Sequence, residues 1–352
     1  MKSQRSLQPS TAGLIALMAV ISATAALRGR AAPDNSVYRK VPNWPQLPEG
    51  MKLGPIPNMI PDAQGNVWML QRLDPPIIKV DRSGKVIKSF GEGMFTHSHG
   101  MCMDRDGNLW AGDSGPSFPP QAGSESSGQR RENGRGYVFY KFNQDGKLLM
   151  TLGKAGVSKV GPDTFVAPTA CIEAPNGDII IADGHIPRAF NETEGDRLMR
   201  FSREGKFVRA YGRTGKGLGE FRGPHALAYD SQGRLFVADR QNSRLQVFDR
   251  SMKPVAEWRQ FGRPSGLFIL PDNTLLTLDS ESGRSLTWAD WPGDDIKATR
   301  NPGFTIGVRI GSAGTGAVAL HFDAETRASS EVVAADTEGF VYTDGIKWEK
   351  VK

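Results

Sequence analysis

Three side chains with metal-binding chemistry, His99, His225 and Glu331, occupy one recurring position in this chain of 352 residues. Each lies eight residues before the Gly that closes a tight turn, at Gly107, Gly233 and Gly339. The same count from Gly65, Gly177 and Asn273 falls on Pro57, Thr169 and Ser265. The ligand types therefore belong to the second, fourth and sixth of six repeats. Alternate units of a six-fold ring mark a triangle around its axis, which suits one ion held by three side chains. Two imidazoles and a carboxylate bind zinc-like ions and leave coordination positions open for substrate or water. Asp336 follows Glu331 by five residues, as Asp104 follows His99 and Asp230 follows His225. Counting back from Asp344 instead puts Ser330 in register, because the second strand of that repeat is one residue short. His321 is a fallback ligand that needs a loop to fold inward, and His97 reads as loop surface.

A second register lies fifteen residues after the first, at Arg72, Ser114, Gly184, Arg240 and Ser280. Arg72 and Arg240 would project near the mouth of such a ring, where guanidinium groups clamp a carboxylate. His185 follows Asp183-Gly184 at the same rim, with the chemistry of a proton carrier. Asp113, Asp183, Asp239 and Asp279 recur in most repeats and read as structural turn or cap residues.

The unit that must position these groups is clearest between Pro224 and Gly262. His225-Ala-Leu-Ala-Tyr-Asp230 is one strand and Arg234-Leu-Phe-Val-Ala-Asp239 a second. Arg244-Leu-Gln-Val-Phe-Asp249 and Val255 to Phe261 follow. Four short strands with polar turns make one antiparallel blade, and the 41 Gly and 23 Pro supply the many turns. The expected fold is all-β, a six-bladed β-propeller over residues 36–352. Only Ile346 to Lys352 remains after Asp344, so the last blade is expected to take its fourth strand from near Val37 to Val41. That closure removes an exposed sheet edge. The polar insertions 114–136 and 185–197 follow second strands and emerge on the register face, as a substrate rim or as surface excursions.

Residues 1–26 read as a signal peptide. Lys2 and Arg5 precede an apolar stretch from Ala12 to Ala26, with Ala23-Thr24-Ala25 as a cleavage site. The stretch is short against the roughly 20 residues of a membrane span, and an uncleaved anchor is the alternative. The mature chain is expected to be exported (periplasmic or extracellular), soluble, monomeric and free of the membrane. The net charge of +6 comes without a dense Lys/Arg run, so nucleic acid is not an expected partner. Cys102 lies three residues after its register position and Cys171 two after. On pleated strands they point to opposite faces, so two buried free thiols are expected, although export would permit a disulfide.

Pro224-His-Ala-Leu followed by Val237-Ala-Asp-Arg-Gln-Asn-Ser-Arg-Leu-Gln-Val-Phe248 resembles an NHL repeat. The wider pattern includes Trp44-Pro-Gln-Leu-Pro-Glu-Gly50, Gly91-Glu-Gly-Met-Phe-Thr96, His99-Gly and Ala238-Asp-Arg240. It resembles the peptidyl-α-hydroxyglycine α-amidating lyases and their exported bacterial relatives, over nearly all of the mature chain. The resemblance implies a metal held by three axial histidines, a structural calcium, and catalytic Arg and Tyr residues. It also implies cleavage of a C-terminal α-hydroxyglycine into a peptide amide and glyoxylate. By position it places metal ligands at His99 and His225, the catalytic Arg at Arg72 and another active-site Arg at Arg240. The third histidine is replaced by Glu331, and the Tyr by His185. The calcium-binding Asp falls on Val332, which leaves a structural calcium doubtful. The expected protein is thus a metal-dependent lyase, zinc being the expected divalent ion. Its expected substrate is small and peptide-like with a carboxylate, and His185 is one candidate base. The alternatives are a non-catalytic propeller that binds a peptide, glycan or protein partner, and a lactonase-like metal hydrolase.

Overall fold

The computed structural model describes residues 30–115, 134–185, 195–283, 301–325 and 330–351; the expected signal peptide lies outside them. Six four-stranded antiparallel sheets form the blades, each in simple sequential order except the last. The innermost strands are Asn58–Pro61, Ser98–Met103, Pro168–Glu173, Pro224–Tyr229, Pro264–Ile269 and Ala334–Ala335. Each lies beside the next around the ring, and the sixth lies beside the first. The expected closure is present. Tyr38–Lys40 pairs with Ile346–Lys350, with Tyr38 opposite Lys350 and Lys40 opposite Trp348.

All six turn closers have positive φ, from 67° at Asn273 to 93° at Gly177. Gly tolerates that left-handed backbone and Asn is among the few other residues that do, which accounts for the regular punctuation in the sequence. Blades stick to one another through their faces. Trp110 and Phe139 of the second blade pack with Ile179, Ile181 and Met199 of the third, all buried. Burial of each such large side chain stabilises by about 1.5–3 kcal/mol.

The cysteines are not free. Cys102 and Cys171 form a disulfide with Cα atoms 5.6 Å apart. They do sit on opposite faces of their sheets, as the pleat requires. Successive blades stack face to face, however, so opposite faces of neighbouring blades look at each other. The bond therefore staples the second blade to the third beside the axis.

The recurring aspartates are structural, as read. The carboxylate of Asp113 accepts from the backbone N–H of Thr96 at 2.6 Å and of His97 at 2.8 Å. Asp183 accepts from Ala167 N–H at 2.8 Å, Asp239 from Arg222 N–H at 2.7 Å and Asp279 from Arg263 N–H at 2.9 Å. Each clamps the chain just before the first strand of its blade, two or three residues from the axial register position. These buried bonds fix where that position points.

Candidate metal centre

The register residues face the axis because of a shared irregularity. In the fourth blade Pro224 pairs with Asp239 and Ala226 with Ala238, so His225 is an extra residue with no cross-strand partner. Thr169 and Ser265 occupy the same bulge in the third and fifth blades, and His99 lies in the corresponding shift between Ser98 and Met101. A bulge bends its strand and re-aims a side chain. A proline, which cannot donate to the ladder, opens three of these four bulges.

Each histidine is then oriented by the next blade. His99 Nδ1 is 2.8 Å from the carbonyl of Thr169, and His225 Nδ1 is 2.6 Å from the carbonyl of Ser265. A carbonyl only accepts, so Nδ1 carries the proton in both rings and Nε2 presents a lone pair. Those two Nε2 atoms are buried and have no hydrogen-bond partner. Burial pushes the pKa of His99 down to about 3, with His225 and Arg72 adding to the effect against the pull of Glu331. Burial, then Arg240, likewise lowers that of His225. Neutral rings with fixed Nδ1–H groups and exposed lone pairs are in the state that binds a metal.

Glu331 reaches the same point from a stretch that precedes the short sixth-blade strand Ala334–Ala335. Its Oε2 lies 3.5 Å from His99 Nε2, and its Oε1 lies 3.7 Å from His225 Nε2. Arg72 Nη2 donates to Oε2 at 2.5 Å, and Arg240 Nη1 is 3.5 Å from Oε1. Burial would raise the Glu331 pKa, but Arg72, His99 and His225 hold the carboxyl well below its usual range. It is therefore an anion between two guanidinium groups. Ser330, the alternative in the register, instead donates to Asp344 at 3.0 Å.

His185 joins the cluster. Its ring centroid is 4.3 Å from that of His99 and 5.4 Å from that of His225. The ligand atoms of His99, His185, His225 and Glu331 all lie within 4.8 Å of one another. These four buried residues could hold a metal ion, and the orphaned Nε2 atoms of His99 and His225 are what fits them for it; His185 Nε2 is 3.4 Å from Arg240 Nη2. Arg72 and Arg240 flank the group, so His99, His185, His225, Glu331 and the two arginines come together at the axis.

Two expectations are corrected. His97 is buried, 2% exposed, with its ring 6.2 Å from that of His99; the Asp113 clamp on its backbone pulls this turn inward. His321 sits in the outermost strand Val318–Phe322 of the fifth blade. Its nitrogens face the carbonyls of Ala31 at 2.8 Å and Ile306 at 3.0 Å, far from the axis in the fold. Val332, where the resemblance implies a calcium-binding Asp, is buried and apolar.

Sequence reasoning missed Arg263 and Glu281. Arg263 Nε donates to Glu281 at 2.6 Å, and Glu281 lies 4.0 Å from Arg240 Nη1, so this pair borders the cluster. Their signal was positional: Arg263 precedes the bulge proline Pro264, and Glu281 follows the second-register Ser280. Of the two polar insertions, residues 116–133 and 186–194 lie outside the described residues. On the other side of the cluster, a cavity of about 300 Å³ continues down the axis, lined by Met59, Met101, Leu227, Leu267 and Val333 among others.

Residues 221–248 match the NHL repeat. That stretch covers the first three strands of the fourth blade, with His225 near its start. Relatives include the peptidyl-glycine alpha-amidating monooxygenase B of Xenopus laevis, 32% identical over 179 residues, 49% of this chain and 17% of that protein. Another is peptidyl-alpha-hydroxyglycine alpha-amidating lyase 1 of Drosophila melanogaster, 26% identical over 252 residues, 61% of this chain and 41% of that protein. The matches thus span less than half of either relative. A gluconolactonase from Xanthomonas campestris shares the fold at TM-score 0.54 and 14% identity, over 84% of this chain and 86% of that one.

Proposed function

We propose that this protein is a metal-dependent lyase that cleaves the C–N bond of a C-terminal α-hydroxyglycine. The observation that carries the reading is the convergence of imidazole nitrogens and the Glu331 carboxylate on one axial point, flanked by Arg72 and Arg240. Distant similarity to proteins named as amidating lyases supports it. His99, His225 and Glu331 would hold the ion. When bound, a divalent ion supplies Lewis-acid character that lowers the pKa of a substrate hydroxyl. The hydroxyl loses its proton, the C–O bond becomes the aldehyde of glyoxylate, and the C–N bonding pair leaves with nitrogen. Nitrogen takes up a proton and the peptide amide is released, so no further reactant is consumed.

The chain's own residues account for substrate class. Arg72, Arg240 and Arg263 face two carboxylates, Glu331 and Glu281, so a divalent ion would add to a surplus of positive charge. Such a pocket attracts a carboxylate, which the guanidinium groups hold by paired N–H donors. The imidazole-rich ligand set supports this reading over the lactonase one, whose support is the shared fold alone. Export is part of the proposal, and the Cys102–Cys171 disulfide supports an oxidising compartment.

The test is metal analysis of the purified protein together with glyoxylate release from an α-hydroxyglycine peptide. Stoichiometric metal and metal-dependent release are expected. A protein that binds the ion but leaves this peptide intact while opening lactones would turn the assignment to a hydrolase. One that binds no ion and does neither would leave a non-catalytic binding propeller.

A further inference from the structure

We infer that His185 is a fourth protein ligand of the ion, so that the centre is built from three imidazoles and one carboxylate. This rests on the metal-binding half of the proposal above, and reassigns His185 from proton carrier to ligand.

The first argument is spacing. Two ligand atoms about 2.1 Å from one ion lie about 3.4 Å apart in a tetrahedral arrangement. The Nε2 atoms of His99, His225 and His185 lie 3.5, 3.7 and 4.0 Å from the nearer oxygen of Glu331. The third imidazole thus stands almost where the first two do. The four ligand atoms lie within 4.8 Å of one another, so side-chain shifts of up to about an ångström bring them into one shell, with Arg240 Nη2, 3.4 Å from His185 Nε2, turning aside.

The second argument is how the ring is aimed. Gly184 adopts φ +119°, and a Cβ there would lie 2.3 Å from Asp196 Oδ1. Only a glycine turns the chain sharply enough at this point. The N–H groups of Gly184 and His185 both donate to the carbonyl of Ala167, at 3.0 and 3.2 Å. Asp196 closes the turn from behind by accepting from Gly223 N–H at 2.8 Å, two residues from His225. The turn after the second strand of the third blade is thereby tied to the entry of the fourth-blade ligand. The imidazole it delivers is 5% exposed. A shuttle exchanging protons with solvent would sit at a wetter place.

The assignment has a consequence for the ion. Four protein ligands close a tetrahedral site, so substrate binds only if the ion accepts five or six donors.

The experiment uses the full mature chain, stripped of metal and titrated with cobalt(II) and zinc against a competing chelator. His185→Ala and His185→Gln are compared with wild type, with the melting temperature of each metal-free protein as folding control. The expected result is a loss of affinity of at least about 100-fold, beyond the 10–100-fold of an outer-sphere partner. The visible cobalt bands should change in position and intensity with an unchanged metal-free melting temperature. Affinity within two-fold of wild type with identical cobalt bands would overturn the inference, as would a wild-type chain that binds neither ion. If one variant misfolds, the other carries the comparison. A wild-type chain that binds cobalt and loses affinity in His185→Gln, yet releases no glyoxylate, upholds the ligand and sinks only the lyase.

Discussion

The seam between the second and third blades and the seam between the sixth and first each orient one corner of the candidate metal centre, by different physics. At the first, His99 is held by a neutral hydrogen bond to the Thr169 carbonyl, and a disulfide crosses the same two strands a few residues below. At the second, Glu331 is held by a buried ion pair to Arg72. A neutral ligand is easy to bury and costs little to remove. A charged ligand is expensive to bury, and its partner is stranded if it goes. The histidine corners are therefore devoted to the ion, whereas the carboxylate corner serves the ion and the fold together.

Substituting Glu331→Gln puts that difference to its hardest test. It removes the carboxylate charge that Arg72 Nη2 holds in a buried pair and should cost about 3–5 kcal/mol of stability, read as a lower denaturant midpoint of the metal-free protein. His225→Ala should lose metal at least about 100-fold, beyond the loss from an outer-sphere partner, yet leave that midpoint far less changed. Equal destabilisation by the two variants would erase the distinction. The double variant Cys102→Ser/Cys171→Ser opens the other seam. The separation of 69 residues gives a chain-entropy loss of about 4 kcal/mol, with metal affinity retained because the Thr169 carbonyl remains. A parallel collapse of metal affinity would show that the staple, rather than the hydrogen bond, places His99.

Arg72→Lys keeps the charge at the carboxylate corner but not the planar fork. It should lower kcat/KM for an α-hydroxyglycine peptide by about 10-fold, while stability falls less than in Glu331→Gln. An effect visible only as a pH dependence is expected behind His185. Burial pushes the carboxyl of Asp196 up to about 7, above its unfolded value near 4. The folded state then holds the extra proton between those values, so its stability falls as pH rises from about 4 to 7. Asp196→Asn should flatten that part of the stability–pH curve, as measured by denaturant midpoints from pH 4 to 8.

The propeller was legible because its punctuation is local. A positive-φ Gly or Asn closes the turn between the first and second strands of every blade, and those strands are short and apolar. The axial placement of His99, His225 and Glu331 was legible because register is a count, and Arg72 and Arg240 followed by the same count. What depends on neighbouring blades was not. The disulfide was misjudged because the pleat within one sheet says nothing of how two sheets face each other. His97 was misplaced because the Asp113 clamp acts through space. The second register at Gly184 put His185 at the rim, but its nearness to the other cluster residues depends also on Asp196, which no spacing rule connects to it.

The bulge at the start of the inner strands has one more implication. The residue on it has no cross-strand partner, so its identity is uncoupled from the ladder that holds the blade together. Thr169 occupies such a position between the blades that carry His99 and His225, and Ser265 one between the blades that carry His225 and Glu331. The ring is in this sense a set of sockets in which evolution or a designer could trade one side chain for another, replacing only local bonds such as those of Thr169 to the Ala182 and Pro224 carbonyls and of Ser265 to Ser280.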